Sequence, residues 1–341
     1  MARPSSGHLV SNAHPLLSVR DLTVHFRLRR GPKSSRTIRA VDGVTFDLAA
    51  GETLGIAGES GSGKSTLARA LMRIIRPTHG VVTLDNADVT ALKGRQLKVF
   101  RRRMQMVFQD PYDSLDPRMS VREAIAEALS VSGTPREKHE AAVEGLLARV
   151  NLPSSFARRY PGQLSGGQRQ RVSIARALAV SPEIIICDEA VAALDVSIRA
   201  QVLNLLKDIQ RDTGVAYLFI SHDLSTLRFM ADKVAIMYVG RVVEYGTSEQ
   251  VFTRPLHPYT KALIAAVPSV TSRGRARLKL SGEPPDPGNP PSGCPFHPRC
   301  PDAIDVCRVT RPELAPTPEG QSVACHVVLS RGGLESHEVA P

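Results

Sequence analysis

The residues Gly58-Glu59-Ser60-Gly61-Ser62-Gly63-Lys64-Ser65-Thr66 have the composition of an anion cradle. Glycines let a backbone curl until successive N–H groups point inward at a negative charge. The apolar run Thr53-Leu54-Gly55-Ile56-Ala57 in front reads as a strand, and Leu67-Ala68-Arg69-Ala70-Leu71-Met72 behind reads as the start of a helix. Strand, glycine loop and helix together form the context of a phosphate-binding P-loop. The helix adds its positive N-terminal end, about 0.3–1 kcal/mol per favourable charge. On this pattern Lys64 reaches the β- and γ-phosphates, and the Ser65 hydroxyl ligates Mg²⁺. The bland alternative is a flexible Gly/Ser linker; the complete pattern with correct flanks argues against it.

Two carboxylates, Asp188 and Glu189, follow the apolar run Ile184-Ile185-Ile186-Cys187. In α/β sheets ligands bind at the carboxyl edge of the strands, so packing alone does not explain this pair. Asp188 is placed as a partner of Mg²⁺, and Glu189 as the base that orients and deprotonates an attacking water. His222 ends another apolar strand and can hydrogen-bond a γ-phosphate; a lone strand-end histidine would be structural. Gln109 ends a strand before Asp110-Pro111 and can hold the water or Mg²⁺. In Leu164-Ser165-Gly166-Gly167-Gln168, Ser165 and Gln168 have capping-box spacing at the start of a helix running to about Val180.

The elements that must position these groups alternate between strand and helix. Leu16 to Val19 and Leu22 to Phe26 read as strands, Arg27 to Arg39 as an exposed basic loop, and Val41 to Leu48 as a returning strand. Gly80 to Leu84 and Arg103 to Phe108 are further strands. Helical spacing from Ser120 to Val150, broken at Gly133-Thr134-Pro135, predicts a helical insert. Val196 to Arg211 is a helix, Tyr217 to His222 a strand, and Val234 to Glu244 a hairpin around Tyr238-Val239-Gly240. Beyond Val251 the composition changes: 14 of the 25 prolines lie between Pro255 and Pro318, which disfavours long helices and central strands. The expected organisation is therefore a disordered stretch over 1–15, a catalytic domain over 16–252 with a helical part at about 110–180, and an irregular region over 253–341.

Composition narrows the function. The 341 residues carry a net charge of +11, dispersed apart from Lys98 and Arg101-Arg102-Arg103. Only 4% are aromatic and none is Trp, so no base-stacking platform for nucleic acid is evident; a basic face near a membrane surface is favoured. No apolar run is long enough to span a bilayer, and Met1 to Pro15 lacks an apolar signal core. That places the protein in the cytosol or on the inner face of a membrane. Four of its five cysteines, Cys294, Cys300, Cys307 and Cys325, cluster near the end. In a cytosolic protein this suggests metal before disulfide. Four thiolates suit a [4Fe–4S] cluster or Zn²⁺, although the spacings match no short zinc pattern, and free thiols are the third reading. His297 and His326 are weaker ligand candidates, and Cys187 is an inert core residue.

Taken in order, Gly58 to Thr66, Gln109, the Leu164 to Gln168 run, Ile184 to Glu189, Ala193-Leu194-Asp195 and His222 resemble ABC-type ATPase subunits over roughly Leu16 to Phe252. The resemblance implies an α/β fold: a RecA-like core, an antiparallel β subdomain, a helical subdomain and, here, an irregular Cys/Pro-rich appendage. It implies ATP as substrate and a head-to-tail dimer in which Ser165, Gly166, Gly167 and Gln168 of one subunit cap the γ-phosphate held by Lys64 of the other. Asp195 would lie at the dimer seam. Phe26 matches the family's adenine-stacking aromatic, with a strand-edge core residue as the equal alternative. One departure is Ala190, where the family usually has proline after the catalytic glutamate.

A narrower likeness rests on Gln109 to Met119, Asp195-Val196-Ser197-Ile198, His257-Pro258-Tyr259-Thr260 and Cys294-Pro295-Phe296-His297-Pro298-Arg299-Cys300. These resemble the ATP-binding subunits of bacterial oligopeptide, dipeptide and nickel importers. That likeness implies a heterodimer with a similar subunit, peripheral on the cytoplasmic side of the cell inner membrane. Two transmembrane permease subunits would sit above it, and a binding protein would deliver the peptide. The competing expectation, a soluble ABC ATPase acting on nucleic acid, gains only from the basic charge; those members usually carry two cassettes per chain or large zinc insertions.

Overall fold

A computed structural model describes residues 14–31, 34–109, 115–266 and 282–334. In chain order the first elements are β1 (Leu17–Gly31), β2 (Ser34–Leu48), β3 (Thr53–Ala57), α1 (Lys64–Leu71), β4 (His79–Leu84) and β5 (Ala87–Asp88). Then come α2 (Gly94–Arg103), β6 (Met104–Val107), α3 (Val121–Ser132), α4 (His139–Arg149), α5 (Gly166–Leu178), β7 (Ile184–Asp188) and α6 (Val196–Thr213). The last are β8 (Ala216–Ile220), α7 (Leu224–Met230), β9 (Lys233–Tyr238), β10 (Arg241–Thr247), α8 (Ser248–Thr253), α9 (Pro258–Ala266), α10 (Val306–Val309), β11 (Ala315–Pro316), β12 (Ser322–Val323) and α11 (His326–Leu334). Two compact units result, one from 1–47, 54–90 and 222–341, the other from 48–53 and 91–221.

In the first unit, β2, β1, β4 and β5 form an antiparallel sheet in that order, with Leu17 opposite Leu84 and Val19 opposite Val82. Alternation along β1 buries Leu17 and Val19, and after a bulge between Arg20 and Thr23, with Asp21 at φ 51°, it resumes in the other phase and buries Leu22 and Val24. The basic stretch expected as a loop belongs largely to these strands: β1 continues to Gly31 and β2 begins at Ser34. In the sequence, apolar and charged residues keep alternating through Phe26-Arg27-Leu28-Arg29, a pattern that suits a strand. A second sheet runs β11-β12-β10-β9-β3. There β3 pairs in parallel with β9, Leu54 opposite Lys233 and Ala57 opposite Ile236. The β9–β10 hairpin turns through Val239 and Gly240, both at positive φ (44° and 77°), the geometry that matches strand twist.

The Pro-rich tail is less irregular than its composition suggests. Its strand β12 pairs with β10, Glu244 opposite Val323 and Tyr245 opposite Ser322. The buried Glu244 carboxylate accepts from the backbone N–H groups of Leu256 (2.8 Å) and His257 (2.7 Å) and from the Gln321 amide. These bonds knit the segment after α8 to the sheet. Prolines are tolerated because α9 is short and starts on Pro258, where the missing N–H is not needed.

In the second unit, β6, β7 and β8 are parallel neighbours, Val107 opposite Cys187 and Asp188 opposite Ile220. Every residue of β7 and β8 is buried, which is why both read as continuous apolar runs. Arg103, expected at the start of a strand, instead closes the last turn of α2 with Arg101 and Arg102, and β6 runs Met104–Val107. Cations there complement the helix dipole. Only Phe100 of α2 is buried, and five of its ten residues are Arg or Lys. The helices α3 and α4 match expectation. Ser120 caps α3 through a reciprocal bond with Glu123, and Gly133 ends it at φ 88°.

Candidate nucleotide site

The loop after β3 is shaped around its lysine. Gly58 and Gly63 have φ of 153° and 102°, and a Cβ on either would lie 2.2 Å from the Met237 carbonyl oxygen or 2.0 Å from that of Ala40. Only glycine fits such approaches. The buried Lys64 ammonium donates to the carbonyls of Gly58 (2.8 Å) and Glu59 (2.9 Å) and to Ser62 Oγ (3.4 Å). Its three donors thus stitch the loop into a ring. Helix α1 starts at Lys64 with no side-chain cap and no acid in its first turn. A first turn without acidic residues suits an anion site. Ser60, Gly61, Ser62, Ser65 and Thr66 belong to the same loop and first turn. A donor set of amides, one ammonium and a serine hydroxyl fits a magnesium-bound triphosphate.

Phe26 lies on β1 at 37% exposure while Val24 is buried. His222 is exposed, directly before Asp223, whose carboxylate caps α7 by accepting from the Ser225 (2.9 Å) and Thr226 (3.4 Å) N–H groups.

In the second unit the parallel strands deliver their chemistry to one edge. Asp188 is the buried last residue of β7. Glu189 leaves the strand at φ 50°, its N–H donating to Ile220 O at 2.9 Å. A glutamate in the left-handed region is uncommon, and here the β8 backbone holds it there. The chain then turns with Ala192 N–H donating to Glu189 O (3.0 Å). Ala190 is buried in that turn, so its substitution for proline leaves the bend closed. Gln109, exposed, lies two residues beyond the end of the neighbouring strand β6. Asp110 to Ser114, part of the importer-like stretch, lie outside the described residues. Asp195 is exposed at the N-terminus of α6 without capping it.

The Ser165 helix start is built as expected. Ser165 Oγ accepts from Gln168 N–H (3.3 Å), and Ser165 N–H donates to Gln168 Oε1 (3.0 Å). Ser165 and Gly166 are exposed, while Gly167 packs on Ile198 so closely that a Cβ would come within 2.3 Å of Ile198 Cγ2. Buried Arg169 braces the preceding loop by donating to Pro161 O (2.8 Å) and Leu164 O (2.7 Å). Sequence reasoning passed over Arg169; an arginine among small residues at a helix start was its available signal. Tyr259 and Arg299 stand in the sequence only as parts of the importer-like stretches, with no sign that they reach Glu59 of the loop. Separations of 200 and 240 residues left no local signal for either.

The four tail thiols are free. Burial pushes Cys294 and Cys300 up to about 11, and each is raised further by neighbouring thiols, Cys294 by Cys307 and Cys325, Cys300 by Cys325 and Cys294. Burial also raises Cys325. Cys294, Cys300 and Cys325 are thus held toward the protonated state. Among the described residues no group of three or more His, Cys, Asp or Glu is arranged to hold a metal ion. The expected [4Fe–4S] cluster, or a Cys₄ zinc site, is therefore not supported by these side-chain positions. Of the two histidines, His297 faces Cys294 O with Nδ1 (3.0 Å) and His326 faces Thr310 O with Nε2 (2.9 Å). Cys187 is fully buried, its thiol driven far up by burial and by Asp188. Among the described residues no helix is long and apolar enough to cross a membrane.

Residues 41–192 match the family model described as ABC transporter, and 243–307 match the one described as oligopeptide/dipeptide transporter, C-terminal region. A probable peptide ABC transporter ATP-binding protein, y4tS of Sinorhizobium fredii, is 51% identical over 92% of this chain and 90% of its own. The oligopeptide transport ATP-binding protein AppF of Bacillus subtilis is 47% identical over 93% of this chain and 98% of its own. Among solved structures, CbiO1 of Clostridium perfringens, part of an ABC transporter complex, superposes with a TM-score of 0.61 at 26% identity, covering 70% of this chain and 91% of that one. The dimeric ATP-binding cassette MJ0796 bound to ADP and Pi does so with a TM-score of 0.60 at 29% identity, covering 68% of this chain and 98% of that one.

Proposed function

Because the chain belongs to the family of ABC transporter ATP-binding proteins, we propose that it is the ATP-hydrolysing motor of a bacterial peptide importer. The observation that carries this reading is identity of 51% across 92% of the chain to a peptide-transporter ATPase, with the tail matching the oligopeptide/dipeptide type. ATP binds with its β- and γ-phosphates against the amides of Gly58, Ser60, Gly61, Ser62 and Gly63, and Thr66 with the start of α1 completes the cradle. Lys64, braced on the loop carbonyls, reaches the phosphate oxygens. Ser65, Gln109 and Asp188 would hold Mg²⁺, which when bound neutralises charge on the β- and γ-phosphates. Glu189 accepts the proton of the attacking water, His222 and Gln109 orient it against the γ-phosphate, and Phe26 stacks on adenine.

The exposed Ser165 helix start supplies the second half of the site. Ser165, Gly166, Gly167 and Gln168 cap the γ-phosphate bound by a second ATPase subunit, a paralogue of this one, so binding closes the pair and hydrolysis reopens it. The pair works beneath two permease subunits on the cytoplasmic face of the inner membrane, and a separate binding protein delivers the peptide. Purification of the tagged chain from membranes tests this. Recovery with two permease subunits and a second ATPase, and ATPase activity that rises with peptide-loaded binding protein, are expected. Recovery with nucleic acid and without membrane subunits would overturn it.

A further inference from the structure

Glu59, the second residue of the phosphate loop, is gripped at three points. Its carbonyl accepts from Lys64 Nζ at 2.9 Å. Its N–H donates to the Tyr259 hydroxyl at 2.8 Å. Its carboxylate receives both arms of the Arg299 guanidinium, Nη1 to Oε2 at 2.8 Å and Nη2 to Oε1 at 3.0 Å. The last two grips come from the C-terminal region, and all four residues lie in the first unit.

The holders are themselves fixed. The Arg299 side chain is only 5% exposed, and Nη1 also donates to the Tyr238 hydroxyl at 3.3 Å. Tyr259 is fully buried, its ring 4.6 Å from that of Tyr238 and 5.4 Å from that of Phe296. Phe296 packs edge-on to Tyr238 at 5.4 Å. A fork between guanidinium and carboxylate fixes orientation as well as distance. Burying such a pair gains little net stability over an apolar contact of the same size, so its distinguishing effect here is geometric. The point it fixes is the residue whose carbonyl Lys64 leans on.

We propose that Arg299 and Tyr259 are positioning residues for ATP: the C-terminal region holds the phosphate loop in its binding shape through Glu59, on which Lys64 rests. This inference rests on the reading of Gly58 to Thr66 as the nucleotide loop. Arg299 and Tyr259 touch neither phosphate nor water; they act through Glu59 and Lys64. The tail is thereby a working part of the ATP site.

The test uses the full chain and a fluorescent ATP analogue, with ATPase kinetics alongside. Arg299→Gln removes the charge and Arg299→Lys keeps the charge but loses the fork. Tyr259→Phe removes one oxygen and leaves the ring stack. Each is expected to raise the Kd and the KM for ATP by roughly two- to thirtyfold with kcat nearly unchanged. Glu59→Gln combined with Arg299→Gln is expected to cost less than the sum of the two single changes. Wild-type affinity in both Arg299→Gln and Tyr259→Phe would overturn the proposal, as would a lowered melting temperature with KM unmoved. If Arg299→Gln does not fold, Tyr259→Phe decides, since its packing is intact. Wild-type protein that binds no ATP would instead remove the nucleotide reading itself.

Discussion

Ser165 and Gln168 hold each other reciprocally: the serine hydroxyl accepts from the glutamine N–H, and the serine N–H donates to the glutamine side chain. Local capping fixes this helix end without help from a partner, yet Ser165 is exposed. Ser165→Ala is expected to cost about 1 kcal/mol of stability, the usual loss of an N-cap. It is also expected to abolish ATP-dependent pairing of subunits. Thermal melting reads the first effect and size-exclusion chromatography with ATP the second; pairing that survives would remove the serine from the interface.

Glu189 is held at φ 50° by its bond to Ile220, so the Gln side chain can occupy the same place. Glu189→Gln is expected to lower kcat by roughly 10²–10⁴ while ATP stays bound, and to accumulate an ATP-loaded pair. Rapid-quench turnover and bound-nucleotide analysis check this. Full hydrolysis in that variant would require another base.

Gly166 and Gly167 are adjacent but face different surroundings. A Cβ at 166 meets only Leu194 Cδ2 at an ordinary 3.6 Å, whereas one at 167 comes within 2.3 Å of Ile198 Cγ2. Gly166→Ala is expected to leave folding stability unchanged or raise it by up to about 1 kcal/mol, from helix propensity. Gly167→Ala must push Ile198 aside and is expected to destabilise by about 1–3 kcal/mol. Denaturant unfolding of the two variants compares them directly.

Burial pushes His257 down to about 3, with Lys261 adding to the shift and the Ala324 backbone opposing it. Its Nδ1 accepts from Tyr259 N–H at 3.0 Å. The folded pKa lies below the unfolded value, so the unfolded chain takes up the proton first on acidification. Stability supplied by neutral His257 is complete above about pH 6.5 and drains away as pH falls toward about 3. The neighbouring Glu244, raised by burial, works in the opposite sense and favours the folded state as it is protonated. Melting temperature followed from pH 7 to pH 4 should fall less steeply in His257→Asn than in wild type. Equal slopes would assign the acid sensitivity elsewhere.

Much of the nucleotide machinery was legible along the chain because each piece is local. The loop from Gly58 to Thr66, the Ser165–Gln168 cap and the apolar run that ends at Asp188 are each set by residues within a few positions of one another. Their chemistry follows from backbone curl, orphan N–H groups and strand burial, which are short-range. Helix α2 was not read from the sequence, since its low apolar content and single buried residue, Phe100, drew no attention. Nor was the continuation of β1 and β2 through a basic stretch that looked like a loop.

By itself the sequence determined that a phosphate loop, a capped helix start and strand-end carboxylates occur in one chain, because these are written in contiguous residue types. Tertiary structure decided where the tail goes. It set β12 beside β10 and brought Arg299 and Tyr259 onto Glu59. It left the four thiols as neighbours without an arrangement for metal. Such contacts depend on which distant surfaces bury one another, and that is a property of the packed whole that no local pattern encodes.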